Sequence, residues 1–178
     1  MGEFITTART SFLIEKIIDD AKDFVILISP YIKIHRRLRE KIERKLSSTD
    51  LRLIVICRNL EKSNSDIVSS SSQNYRIFTE SHLHAKCYLN ENEAIISSLN
   101  LYDYSMINNI EFGVHFSRMN DYENYMKVLA ESKSLLPANF KIIQLRGTQI
   151  RITEIIEKYK VTNFGLFIVY RTPISWTI

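Results

Sequence analysis

"HLHAKCYLNENEAIISSLNL", residues 82–101, sets two histidines and a lysine at every second position and, ten residues on, reaches a run of small polar residues ending at Asn100. Alternate side chains of a strand share a face. The alternation therefore predicts a strand with His82, His84, Lys86 and Tyr88 toward a cleft or solvent, and Leu83, Ala85, Cys87 and Leu89 toward the core. An ammonium two residues from an imidazole suits the handling of a phosphate, since lysine supplies a fixed positive charge and histidine a nucleophile or proton carrier. A second short strand, "AIISS", leads to Ser98 and Asn100, whose hydroxyl and amide can donate to phosphate oxygens. Glu111, in "NNIEFGV", is a candidate to hold the histidine's other ring nitrogen and fix its tautomer.

Upstream, "SFLIEKIIDDAKDF" places Phe12, Leu13, Ile17, Ile18 and Ala21 at helical spacing after a cap at Thr10 or Ser11. It runs into "FVILISP", a continuous apolar segment stopped by a proline, which reads as a buried strand. "IHRRLREKIERKLSS" is an amphipathic helix with Ile34, Leu38, Ile42 and Leu46 inward, and "LRLIVIC" is another buried strand. This alternation predicts an α/β fold: a mixed, largely parallel sheet flanked by helices on both faces. Further strands are expected in "YRIFTE", "EAIISS" and "IEFGVHF", and a helix in "DYENYMKVLAESKSLL". Beyond it, "FKIIQL" reads as a strand, "RITEIIEKYK" as a helix and "FGLFIVYRTPISWTI" as two apolar strands about a turn. The serine-rich stretch 59–74 is the one composition shift.

His84-Ala-Lys86, then "AIISSLN", then "NNIEFGV", resembles the signature of the phospholipase D superfamily: His-x-Lys, a short strand, a Gly-Ser-x-Asn type turn and a later Asn-x-Glu. The resemblance covers roughly residues 10 to 135 of a single domain spanning 1–178, with 136–178 as a C-terminal strand and helix extension. The sequence departs from the pattern twice. The family's aspartate after His-x-Lys falls at Asn90 or Glu91, and its glycine before the serine is Ser97.

The resemblance implies a metal-independent phosphodiesterase without cofactors, working through a phosphohistidine intermediate. It also implies a site where two His-x-Lys motifs meet, and a chain with one such motif completes it as a homodimer. The catalytic set it implies is His84, Lys86, Ser98, Asn100 and Glu111. Candidate substrate contacts are Arg58, at the end of a strand where open sheets place ligands, His82 on the same face as His84, and Tyr102 just after Asn100. His35 and His115 read as structural or surface residues.

Composition narrows the substrate. Hydrophobic residues make up 45% and charged residues 25% of 178, which fits a folded globular chain rather than a disordered one. The longest apolar stretch, Phe24 to Ile32, falls far short of the ~20 residues that cross a bilayer. No secretory pattern opens the chain, so a cytoplasmic protein is expected. Cys57 and Cys87 sit in apolar strand-like runs and read as buried free thiols. The net charge of +4 is compatible with a polyanionic partner. A nuclease acting on DNA fits these features better than a phospholipid phosphodiesterase, which calls for an apolar entrance. The competing expectation is a catalytically weak or inactive module that binds nucleic acid without turnover.

Overall fold

The computed structural model describes residues 1–59, 74–102, 109–138 and 140. The serine-rich segment and all the elements expected beyond 140 fall outside the described residues, apart from the segment's flanks. The chain opens with strand β1 (Glu3–Thr6), which the sequence reading did not anticipate, and passes directly into helix α1 (Thr7–Asp20). Then follow β2 (Phe24–Ile28), β3 (Ile32–Lys33), α2 (Arg36–Ser48), β4 (Arg52–Cys57) and β5 (Tyr75–Thr79). The second half holds β6 (Cys87–Asn90), β7 (Glu93–Ser97), β8 (Leu101–Tyr102), β9 (Phe112–Ser117) and helix α3 (Tyr122–Ser134). Helix α1 starts earlier than expected, with Thr6 at its N-cap. Thr10 lies inside it, donating its hydroxyl to the Thr6 carbonyl at 2.9 Å.

Seven strands form one sheet in the order β1-β9-β7-β6-β2-β4-β5. The sheet is mixed, but its parallel part is smaller than expected, being confined to β2, β4 and β5. The other four pairings are antiparallel. The reason is connection length. Parallel neighbours need a long crossover, such as the one α2 makes between β2 and β4, whereas β6 and β7 are joined by two residues.

Helices cover both faces. On one, Leu13, Ile14, Ile17 and Ile18 of α1 and Leu38, Ile42 and Leu46 of α2 pack on Val25, Leu27, Leu53, Val55, Tyr88 and Ile95. On the other, Tyr125, Val128 and Leu129 of α3 pack on Ile26, Ile28, Ile54, Ile56, Leu89 and Ala94. His35 begins α2 as its N-cap, where its Nδ1 accepts from the Leu38 amide at 3.1 Å. His115 is tied to Glu93 at 2.8 Å and faces Glu3 at 3.5 Å, clamping edge strand β1 to the sheet. Both histidines are structural, as expected.

The turn between β6 and β7 gives Asn90 and Glu91 separate tasks. Asn90 is fully buried: its amide donates to the Ile17 carbonyl at 2.9 Å, and its Oδ1 accepts from the amides of Asn92 and Glu93 at 2.8 and 2.9 Å. The Glu91 carboxylate accepts from the amides of Lys22 at 2.8 Å and of Asp23 and Phe24 at 3.4 Å, at the entry to β2. The two jobs are not exchangeable, because Asn90 needs a donor and Glu91 needs acceptors. Asn90→Asp is therefore expected to destabilise the protein by about 2–3 kcal/mol at neutral pH, because a buried carboxylate would face the Ile17 carbonyl. Acid should shrink the deficit, since a protonated carboxyl can donate again. Denaturant titrations at pH 7 and pH 5 check both statements.

Candidate functional site

His84 and Lys86 do not lie on the strand that the alternation predicts. That strand begins at Cys87; residues 83–86 are an irregular approach to it, and Ser81 and His82 form a turn. Tyr88, expected beside them, faces the α1 and α2 side instead, fully buried with its hydroxyl donating to the Leu99 carbonyl at 2.6 Å. Lys86 and Cys87 both line one cleft, although consecutive residues of a strand would face opposite ways. The chain turns over just before β6 and carries the histidine and lysine to the α3 side.

The cleft has a volume of about 460 Å³. His84, Lys86, Ser97 and Ser98 meet there, with α3 as one wall through Val128, Glu131 and Ser132. His84 is exposed and Lys86 is only 9% exposed. The Lys86 ammonium donates to the His84 carbonyl at 2.8 Å and lies 3.5 Å from His84 Nδ1. Burial lowers the Lys86 pKa; the Glu111 carboxylate works against that and the Arg58 charge adds to it. Cys87 also lines the cleft, but burial pushes its thiol up to about 12, which keeps it protonated at neutral pH.

Ser98 and Glu111 form the second part of the site. The Ser98 hydroxyl donates to Glu111 Oε2 in a very short contact and accepts from the Phe112 amide at 3.2 Å. Asn109 donates to Glu111 Oε1 at 3.1 Å, so the carboxylate's hydrogen bonds go to Ser98 and Asn109 rather than to the imidazole. Thr7, at the start of α1, accepts from the Glu111 amide at 2.7 Å. No motif marks Thr7, which lies 104 residues away in sequence. Ser97, where the resemblance would put a glycine, pairs across the sheet with Gly113. A side chain on Gly113 would press on the Ile96 carbonyl at 2.8 Å and on Ser97 at 3.1 Å, so the close approach of the two strands here requires the glycine.

The remaining candidates divide. Asn100 is half-buried, its Oδ1 buried without a hydrogen-bond partner. Arg58 does not stand free: it donates from Nε and Nη2 to the Leu83 carbonyl at 3.0 and 2.8 Å. His82 is exposed, its amide bonded to Glu80 at 3.0 Å, and stands apart from the residues that line the cleft. Tyr102 ends β8, opposite Lys33 of β3. No helix among the described residues is long and apolar enough to cross a membrane.

A charged lysine that burial disfavours is costly to the fold. Since its pKa is lowered, the folded state binds fewer protons than the unfolded one as pH approaches 10.5, and the penalty is present in full at neutral pH. Lys86→Met is thus expected to raise the melting temperature by a few degrees at pH 7, with the gain fading toward pH 10.5. Thermal melts across that range check the direction.

No protein-family model and no curated protein sequence matches the chain. Solved structures do. Nuc, a phospholipase D family member from Salmonella typhimurium, superposes with a TM-score of 0.59 at 14% identity, over 75% of this chain and 93% of that one. NucT from Helicobacter pylori gives 0.60 at 13% identity, over 76% and 94%. TrmBL2, described as an archaeal chromatin protein with a novel mode of DNA binding, gives 0.53 at 9% identity, over 75% of this chain and 51% of its own. At such identities the likeness is one of fold.

Proposed function

We propose, for a chain whose fold is that of the phospholipase D superfamily, that it is a phosphodiesterase cleaving DNA through a phosphohistidine, in a site completed by a second copy of itself. The observation that carries this is the meeting of an exposed imidazole, a buried ammonium and a serine hydroxyl in one cleft. In the first step a nitrogen of His84 attacks phosphorus and the bond to the leaving oxygen breaks; the partner's His84 gives that oxygen its proton. In the second, water attacks the phosphohistidine, the partner's His84 accepts the proton of the water, and the nitrogen–phosphorus bond breaks. Lys86 faces the charge on the non-bridging oxygens, the largest electrostatic demand of phosphoryl transfer; Ser98 joins it by turning its hydroxyl from Glu111 to a phosphate oxygen, and Asn100 lies outside the residues that line the cleft.

Two features support a second copy. Among the described residues the cleft holds one imidazole, that of His84, and a single imidazole cannot act as both nucleophile and leaving-group acid. The sheet face that carries the cleft also continues into exposed apolar side chains: Ile96 lines the cleft, pairs across to Val114, and Val114 pairs to Phe4, whose ring lies 5.4 Å from that of Phe112. Such a patch beside an open half-site suits an isologous contact. The same patch favours a second reading, a phospholipid phosphodiesterase, whose substrate enters from an apolar surface. The engagement of Glu111 by Ser98 and Asn109, with no carboxylate among the described residues bonded to the His84 ring, favours a third, a module that holds DNA without turnover.

Labelled single- and double-stranded DNA should be cut in excess EDTA by the wild-type protein, and His84→Ala should lower the rate by on the order of 10³-fold or more with binding retained. Cleavage unchanged in the variant would remove His84 from the chemistry. Binding without cleavage by either protein would favour the third reading, and turnover of phospholipid vesicles but not DNA the second. A shared site makes a further demand. Wild-type protein equilibrated with an excess of His84→Ala should lose activity well beyond dilution, because each mixed pair lacks one of its two imidazoles. A loss in simple proportion to dilution would place the whole site within one chain.

A further inference from the structure

We infer that Arg58 is a positioning residue for His84, acting through the peptide carbonyl of Leu83 and not through the substrate. The inference rests on the nuclease reading only where it concerns rate. The segment 83–86 has no ladder to hold it, and its main-chain contacts are sparse: the Leu83 amide reaches the Glu80 carbonyl at 3.0 Å, and the Lys86 carbonyl accepts from the Ser97 amide at 3.1 Å. Of the three carbonyls between these points, those of Leu83 and His84 are held by cations instead. Arg58 brings Nε and Nη2 onto the Leu83 oxygen at 3.0 and 2.8 Å, and Lys86 holds the His84 oxygen at 2.8 Å. The peptide that presents the imidazole is fastened on both sides.

Arg58 is itself well anchored. It follows β4 directly, and its amide donates to the Pro30 carbonyl at 3.3 Å, tying it to the end of β2. Its third nitrogen, Nη1, lies 3.4 Å from the Tyr31 hydroxyl, and the guanidinium sits 5.7 Å from the Tyr31 ring centroid. Each guanidinium nitrogen therefore already donates once within the protein, which occupies three of its five N–H groups, and swinging the fork onto a phosphate would give up the two bonds that hold the histidine loop. A planar fork that grips one oxygen from two nitrogens is also something lysine cannot reproduce, since its ammonium is a single point of charge. Charge alone will not substitute for the fork.

The test uses the full chain labelled in its histidine rings, of which there are four: His35, His82, His84 and His115. Arg58→Lys and Arg58→Ala should both shift and broaden the His84 ring signals in NMR spectra. The His115 signals should keep their wild-type positions, because that ring is held by Glu93 and Glu3 on the other face of the sheet and reports that the fold is intact. Unchanged His84 signals in both variants would overturn the inference. In cleavage assays both variants should lose about 10–100-fold in turnover, the scale on which a small misplacement of a reacting group acts, with KM and the salt dependence of DNA binding unchanged. Wild-type turnover in Arg58→Lys, together with a salt slope smaller by about one in Arg58→Ala, would make Arg58 a phosphate contact and overturn the inference as well. A wild-type protein that does not cut DNA would sink the nuclease reading, and the ring signals would still decide the role of Arg58.

Discussion

Strand β6 is buried on both faces, and the rest of the candidate site follows from that constraint. Tyr88 fills the layer beneath α1 and α2, while Cys87 and Leu89 fill the layer beneath α3. A strand with helices on both sides has no face left for an imidazole that must reach solvent or an ammonium that must reach a ligand. The polar pair can only precede the strand. There the backbone leaves the ladder, and hydrogen bonds from side chains must replace those that a strand would supply.

Those side chains come from distant parts of the chain, which makes the site a property of the fold rather than of one segment. Arg58 from the end of β4 holds the carbonyl before His84, and Tyr31 beyond β2 steadies Arg58. The donors on the other side have a similar origin. Ser98 leaves β7, is bonded by Glu111 ahead of β9, and Glu111 is fixed by Thr7 at the start of α1. The antiparallel register of β7 with β9, which sets Ser97 against Gly113, brings Ser98 and Glu111 within reach of each other. A slip of one residue would turn every side chain of β9 to the wrong face.

This explains what the sequence could and could not convey. The helix and strand order of the first sixty residues was legible because each element carries its own period, as Leu38, Ile42 and Leu46 do in α2. The residues that converge were legible as well, since His84, Lys86 and Ser98 stand in a recognisable order along the chain. The alternation of His82, His84 and Lys86 misled because a polar-apolar alternation is also what an irregular segment shows when only Leu83 is anchored in the core. Tyr88 was the residue that broke the pattern, and its burial could not be known without the helices above it. The contact made by Arg58 was hidden for a different reason. A basic residue at the end of a strand points to an anion, and nothing in the sequence reveals that this one also grips a main-chain carbonyl 25 residues later.

The charges carry the argument one step further. Among the described residues four charged side chains are buried: Lys86, Glu91, Glu93 and Glu111. Glu91 is met by three main-chain amides, Glu93 by Lys16 and His115, which hold its carboxyl below the usual range, and Glu111 by Ser98 and Asn109. Each carboxylate has its partners within the fold. Lys86 is different: burial works most strongly against its charge, the Glu111 carboxylate offsets part of that from a distance, Arg58 adds to it, and its donor bond goes to a neutral carbonyl. A fold that gives each buried acid direct hydrogen bonds but holds its buried cation on a neutral carbonyl places its least compensated charge in the cleft, beside an exposed imidazole. Any anion that entered there would favour the charged lysine, so that affinity for an anion and the cost of keeping Lys86 protonated are two sides of one coupling.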